Sequence, residues 1–386
     1  METLPTTMAK IATMAAPLRG LPEEIVVWEI LVRLAPKDLL RCRAVCRAWR
    51  RVTSARNFLL AHHSRQPSLH LLYGYECDTV RPQNILAFDH QAATTAQLHT
   101  AARLKENYNI AASCDGILIL SGDGKASSIC CNPATREHTP LRATRDLKIL
   151  GMYPHRPTGE YRVLLQRWYI MSYKGQLGFY VLALGTEQPP RYIGMQETSS
   201  AYFSARALVR DSLHWYPVKH HSENDPLRYP TESKPIIVFV AESFRRMRAP
   251  IVPSNSYIFE MDDTLGIYTH DDDMEIVDIW VLQNYEGEIW DFKYKIKLPI
   301  AKIRRQFEGC DDYWYSAVVP VDSRVLLLVS LDRCVNYVDS DGELVGSFHH
   351  GGGFLRASGY RLKQTLVSPT FFTPLEGQVV NDSPFV

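Results

Sequence analysis

One pattern returns six times between residues 68 and 343: a strongly apolar run, a polar interval, then a second apolar run that ends in a polar turn. The first runs are SLHLLYGY (68–75), GILIL (116–120), YRVLLQRWYI (161–170), LHWYPV (213–218), LGIYTH (265–270) and VLLLVSL (325–331), their starts 45 to 60 residues apart. The second are ILAFDH (85–90), ICCNPATRE (129–137), FYVLALGTE (179–187), IIVFVAES (236–243), DIWVLQNYEGEIW (278–290) and CVNYVDSDGE (334–343). Runs this short, rich in β-branched and aromatic residues and bounded by Gly, Pro, Asn and Asp, are strands. A period near fifty residues falls in the range of propeller blades. An isolated blade would leave both sheet faces exposed, whereas six or seven arranged radially give each sheet two neighbours and few free edges. Residues 67–386 are therefore expected to form an all-β, propeller-like domain of about six or seven blades. Pairing of strands around 360–373 with the first run near 68–75 would close the ring.

The preceding stretch obeys different rules. From Arg19 to Arg65 there are ten basic residues against four acidic ones, in a chain whose overall charge is only +1. Pro22 can open a helix at no hydrogen-bonding cost, and Glu23 and Glu24 follow where negative charge suits the helix dipole. A helix over about 23–34 follows. Its apolar residues, Ile25 to Leu34 with Glu29 and Arg33 the main interruptions, wrap well beyond one stripe, so it needs burial on two sides. A segment under 50 residues cannot supply both, so one side is expected to meet another protein or the following domain. Pro36 breaks the chain and Asp38 starts a second helix, with Leu39, Leu40, Val45, Cys46 and Trp49 as apolar contacts. Three short helices by about residue 60 is the simplest arrangement, giving an α+β multidomain chain: a flexible segment 1–18, a helical domain 19–66 and the β domain 67–386.

The string LRGLPEEIVVWEILVRLAPKDLLRCRAVCRAWRRV (18–52) resembles the F-box motif in its Leu-Pro opening, apolar helix, Pro-containing turn, Leu-Leu pair and Arg-Ala-Val-Cys-Arg-Ala-Trp run. It departs at Ala35, where relatives often carry Pro. SCDGILIL (113–120), CNPATRE (131–137), HRPTGEYRVL (155–164) and DIWVLQNYEGEIW (278–290) resemble the F-box-associated, kelch-like domain of plant F-box proteins. Asn132-Pro133 and Thr158-Gly159 in these strings are turn chemistry, and Trp280 and Trp290 are expected to fill space between sheets. The first resemblance implies a Skp-type adaptor and, through it, a cullin scaffold as partners. It further implies that Leu21, Pro22, Ile25, Ile30, Leu31, Leu34, Leu39, Leu40, Val45, Cys46 and Trp49 form or support the adaptor contact, some of them by packing the helices themselves.

Signals for chemistry in the chain itself are weak. The near-phosphate-loop SGDGKAS (121–127) has Ile119 where the loop needs Gly and Ala126 where it needs Ser or Thr, so Asp123-Gly124 reads as a hairpin turn. DSDGE (339–343) lacks the later acidic ligand of a calcium loop and reads as another turn. The pairs His62-His63, His220-His221 and His349-His350 read as solvated loop or edge residues, since neighbours on a strand face opposite ways. Asp262, Asp263, Asp271, Asp272 and Asp273 read as a solvated loop. The eight cysteines, at 42, 46, 77, 114, 130, 131, 310 and 334, form no C-x-x-C pair and read as free thiols with neither metal nor redox role. No catalytic signature and no cofactor motif is present.

Residues 11–18 are too short and feebly apolar for a secretory signal, and no run approaches the about 18 apolar residues of a membrane span. A cytoplasmic or nuclear compartment, without membrane or nucleic acid as partner, fits free thiols and balanced charge. The expectation is a non-catalytic substrate receptor of an SCF-type ubiquitin ligase, with the β domain holding an unidentified protein target. A propeller-fold enzyme or carbohydrate-binding protein, and an F-box protein acting outside ubiquitination, remain alternatives.

Overall fold

The computed structural model describes residues 21–75, 83–90, 96–122, 128–141, 147–167, 176–195, 206–216, 235–252, 256–271, 273, 275–305, 315–321, 324–331, 333–349, 354–372 and 383–386. The expected flexible segment 1–18, most of the SGDGKAS string, His220-His221, His350, Asp272, Cys77 and Cys310 lie outside the described residues.

The β domain consists of six four-stranded antiparallel sheets. The second to sixth blades take their strands in chain order: Tyr108–Cys114, Ile117–Gly122, Ser128–Asn132 and Glu137–Leu141; Lys148–His155, Glu160–Arg167, Gly178–Ala183 and Arg191–Gly194; Arg206–Val209, Ser212–Trp215, Ile236–Val240 and Ser243–Met247; Tyr257–Met261, Thr264–His270, Ile276–Asn284 and Ile289–Lys297; Tyr315–Val321, Arg324–Leu331, Cys334–Val338 and Leu344–His349. The first blade is composite. Its inner strand, Phe354–Lys363, comes from the far end of the chain and pairs antiparallel with Ser68–Tyr75, which continues to Gln83–Asp89 and Gln97–Leu104. Inner strands of successive blades adjoin, the last meeting the first. The ring thus closes through residues 354–363, and the expected closing range of 360–373 is corrected: beyond Lys363 the chain leaves the sheet and makes a single 3₁₀ turn at Thr370–Phe372.

Six apolar cores fill the six seams between blades. Strand alternation feeds two seams at once. In the second blade Leu118 and Leu120 face the first blade while Ile117 and Ile119 face the third; Cys130 and Cys131, both fully buried, divide the same way. Trp280 and Trp290 pack against the core between the fourth and fifth blades, as the sequence suggests.

The inner-to-second-strand connections are tight. Asp115-Gly116, Arg210-Asp211 and Asp262-Asp263 all have positive φ at both positions, as two-residue hairpins of the sheet's twist require. At Gly116, with φ +85, a Cβ would lie 2.5 Å from the Lys363 carbonyl oxygen and 2.6 Å from Thr365 Cγ2. The DSDGE string is a turn: Asp339 Oδ1 accepts from the Asp341 and Glu343 amides at 3.0 and 2.9 Å, and Gly342 has φ +84.

Four helical segments precede the sheets, where three are expected. The first, α1, runs from Glu23 to Arg33 as an α-helical turn (Glu23–Ile25), a π stretch (Val26–Ile30) and a 3₁₀ turn (Leu31–Arg33). It is followed by α2 (Pro36–Cys42), α3 (Arg47–Thr53) and α4 (Arg56–Arg65). A further short helix, α5 (Ile300–Arg304), lies between the fifth and sixth blades.

Candidate interaction surface

The π stretch of α1 determines which apolar side chains the helix buries. In a regular α-helix residues five apart are rotated by about 140° and share no face. Here i→i+5 bonding brings such residues toward one line. Val26 and Leu31 are buried, as are Val27 and Val32, while Ile25 and Ile30 are exposed. The amide of Leu31 is shared between the Val26 and Val27 carbonyls, where the wide turn ends. The helix that needs burial on two sides therefore has it on one, against Leu39, Phe58 and Leu366.

The structure divides the residues implied by the F-box resemblance. Leu31 and Leu39 are core, at 2% and 0% exposure, and Leu34 and Trp49 pack half-buried against that core. Leu21 (50%), Ile25 (42%), Ile30 (43%), Leu40 (39%) and Val45 (67%) stand in solvent, as do Pro22 and Cys46. These exposed apolar side chains fall within 25 residues of sequence, denser than the single scattered hydrophobics usual on a surface. Leu60 on α4, 47% exposed, is outside the sequence-derived set. The Leu59-Leu60 pair is its only sequence signal, and just Leu59 packs on the core.

Local contacts hold this surface rigid. Pro22 (φ −59) opens α1 and Pro36 occupies the first position of α2, where neither owes an amide. Ala35 keeps φ −58 and ψ 148 without a proline of its own, because the residue before Pro36 is confined to extended backbone. The Cys46 sulfur caps α3, accepting from the Trp49 amide at 3.4 Å. Arg43 reaches from the end of α2 to the Thr53 carbonyl at 2.6 Å, supplying a cation where the last carbonyls of α3 lack partners. Burial, with Arg50 nearby, lowers its pKa.

The same helices are seated on the β domain. Leu366 and Ala134, contributed by the chain after the closing strand and by a turn of the second blade, share the helical core. Lys363 Nζ donates to the Ser64 carbonyl at 3.3 Å, and Asn132 Nδ2 to the Thr365 carbonyl at 3.1 Å. His62 is corrected by the structure: it is a fully buried residue of α4, not a solvated one. His349, by contrast, is exposed on an outer strand. Asp262 and Asp263 form their tight turn, and Asp271 Oδ1 accepts from the Glu275 and Ile276 amides at 2.7 and 3.0 Å. Among the described residues no three His, Cys, Asp or Glu side chains group as a metal would require, and no helix is long and apolar enough to cross a membrane.

Comparison with known proteins places an F-box-like domain on residues 18–65, the span of these helices. The chain is 26% identical over 134 residues to the F-box protein At5g49610 of Arabidopsis thaliana, an alignment covering 34% of this chain and 36% of that protein. It is 29% identical over 133 residues to the F-box protein At5g10340 of the same plant, covering 31% and 30%. The chain thus spans about a third of the length of these curated relatives. Among solved structures, AztD of Citrobacter koseri aligns with a TM-score of 0.39 at 10% identity over 75% of this chain and 89% of that one.

Proposed function

We propose that this chain, an F-box-like helical domain followed by a six-bladed propeller, is a substrate receptor of an SCF-type ubiquitin ligase. The observation that carries the reading is the exposure of Leu21, Pro22, Ile25, Ile30, Leu40, Val45 and Cys46 on a helical domain that has its own packed core. A Skp-type adaptor is the partner that would cover it and link the chain to a cullin. The receptor contributes proximity rather than chemistry, raising the effective concentration of target lysines beside a charged conjugating enzyme. A cytoplasmic or nuclear location belongs to the same reading.

The propeller supplies a second surface, away from the helices. Because the strands alternate in direction, the ends at which the inner strands begin lie opposite the helical domain. Loops on a rigid scaffold are where recognition residues concentrate, and the loop face away from the helices is assigned to the protein target. Co-purification of the full chain with a Skp adaptor and a cullin tests the proposal. Failure to associate while the chain is folded would refute it.

A further inference from the structure

The inner strands of the six blades surround a cavity of about 210 Å³. Its wall is mixed: Met152, Leu208, Phe259 and Val318 form an apolar stretch, and Arg206 lies beside it. The residue is half-buried. It donates to the carbonyl oxygens of Leu150 at 2.5 Å and Ile149 at 3.2 Å, and to that of Ala111. It also stacks over the Tyr360 ring, 5.0 Å from the centroid. Its Nε has no acceptor.

These contacts engage both terminal nitrogens but supply no opposite charge. Among the described residues no carboxylate pairs with Arg206, and Lys148, the ionisable neighbour it perturbs, carries the same sign. The other cavity arginine, Arg361, is neutralised by Glu260. Burial lowers the pKa of Arg206 only to about 10, so it stays cationic at neutral pH. A half-buried cation without a counter-charge carries a desolvation cost, and an anion beside it recovers part of that cost. The wall also carries Ser68, His70, Ser113 and Lys363, so phosphate is the competing anion, and the apolar stretch of Met152, Leu208 and Phe259 is what favours an anion with an apolar body. One carboxylate on an apolar body matches one guanidinium beside an apolar stretch. We propose that the central channel binds a small organic carboxylate, its charged group beside Arg206 and its apolar body against Met152, Leu208 and Phe259. The proposal is independent of the adaptor.

Isothermal calorimetry on the full chain tests it with benzoate, its uncharged analogue benzamide, and inorganic phosphate. Benzoate is expected to bind saturably and at least about tenfold more tightly than either. Gly359 lines the cavity, and a Cβ there meets no atom within 4 Å. Gly359→Leu should therefore fill the channel and abolish benzoate binding with Arg206 untouched, while Arg206→Met should weaken it at least about tenfold. Should Arg206→Met not fold, Gly359→Leu alone decides. Absence of saturable benzoate binding, equal binding of benzamide, tighter binding of phosphate, or unchanged benzoate affinity in Gly359→Leu would each overturn the assignment.

Discussion

The carbonyl oxygen of Leu34, at the turn between α1 and α2, accepts a hydrogen bond from Nε2 of His62 on α4 at 2.9 Å. Gln66 Nε2 donates to the same oxygen at 3.1 Å. One carbonyl thus ties the last helix to the first turn. A carbonyl accepts only from a protonated nitrogen, so His62 carries its proton on Nε2, leaving Nδ1 buried without a partner. Burial lowers the pKa of this imidazole, the bond to Leu34 opposes that, and Arg43 adds to it. A second proton would bring a charge into the helical core.

Acid should therefore loosen this protein before its carboxylates titrate. Burial also lowers His70, His214 and His270, each to about 4. A histidine whose folded pKa is depressed contributes stability that is fully present above its unfolded value of about 6.5 and is lost as pH falls toward the folded value. Each of these three contributes at most about 3 kcal/mol across that window. Urea unfolding measured from pH 7.5 down to pH 4.5 should show stability level down to about pH 6.5 and falling below it, and His270→Gln should shallow that fall. A profile flat below pH 6.5 would contradict the neutral assignment.

Ala35→Pro should stabilise the chain. Ala35 has φ −58, within proline's range, and Leu34 before it is extended at φ −65, ψ 149, so the ring meets neither strain nor a disfavoured neighbour. The gain comes from fewer unfolded conformations and should be about 0.4–1 kcal/mol. Denaturant midpoints of the two proteins, at unchanged m-value, would measure it.

Which strands were legible in the sequence follows from where they sit. The twelve apolar runs recognised there are the second and third strands of all six blades. These middle strands bury both faces, as at Leu71 and Leu72 or Leu327 and Leu328, which enter different seams, so they read as continuous hydrophobic runs. The outer strands are half-solvated: Ile289–Lys297 exposes Ile289 and Phe292, and Glu137–Leu141 buries only Leu141. The inner strands are short or polar where they line the channel, as at Arg206 and Arg361, and their pattern resembles loop. For the helical surface, residue types pointed to an apolar contact, but the split between Ile30 outside and Leu31 inside depends on the π stretch, which no 3.6-residue periodicity anticipates. Arg206 had no sequence signal, because its partners are carbonyls of two neighbouring blades.

That split gives two classes of variant with opposite readouts. Leu21→Ala combined with Pro22→Ala removes exposed apolar surface and helix-start preorganisation, so adaptor binding should fall at least about tenfold, about 1.4 kcal/mol, with only a small change in melting temperature. Leu39→Ala empties a site at 0% exposure and should cost about 2–5 kcal/mol of stability. Pull-down of adaptor and cullin beside thermal melts separates the two. A folded Leu21→Ala, Pro22→Ala protein that still captures the adaptor at wild-type yield would displace the docking edge from these residues.

The propeller should fold without the helices. Every strand of its six sheets lies between Ser68 and Lys363, and none of the six inter-blade cores contains a residue before Leu69. Removing residues 1–66 therefore leaves ring closure by Phe354–Lys363 intact. What it uncovers is Leu366, 5% exposed in the full chain, together with the contact at Ala134. The fragment 67–386 should give a β-dominated circular dichroism spectrum and one cooperative melt, shifted to lower temperature by the lost seam. Leu366→Ser should improve its solubility while costing the full chain stability, because only there does Leu366 fill the helical core. A helix-dominated spectrum, or a broad uncooperative melt in the fragment, would show that the helical domain is needed to hold the ring together.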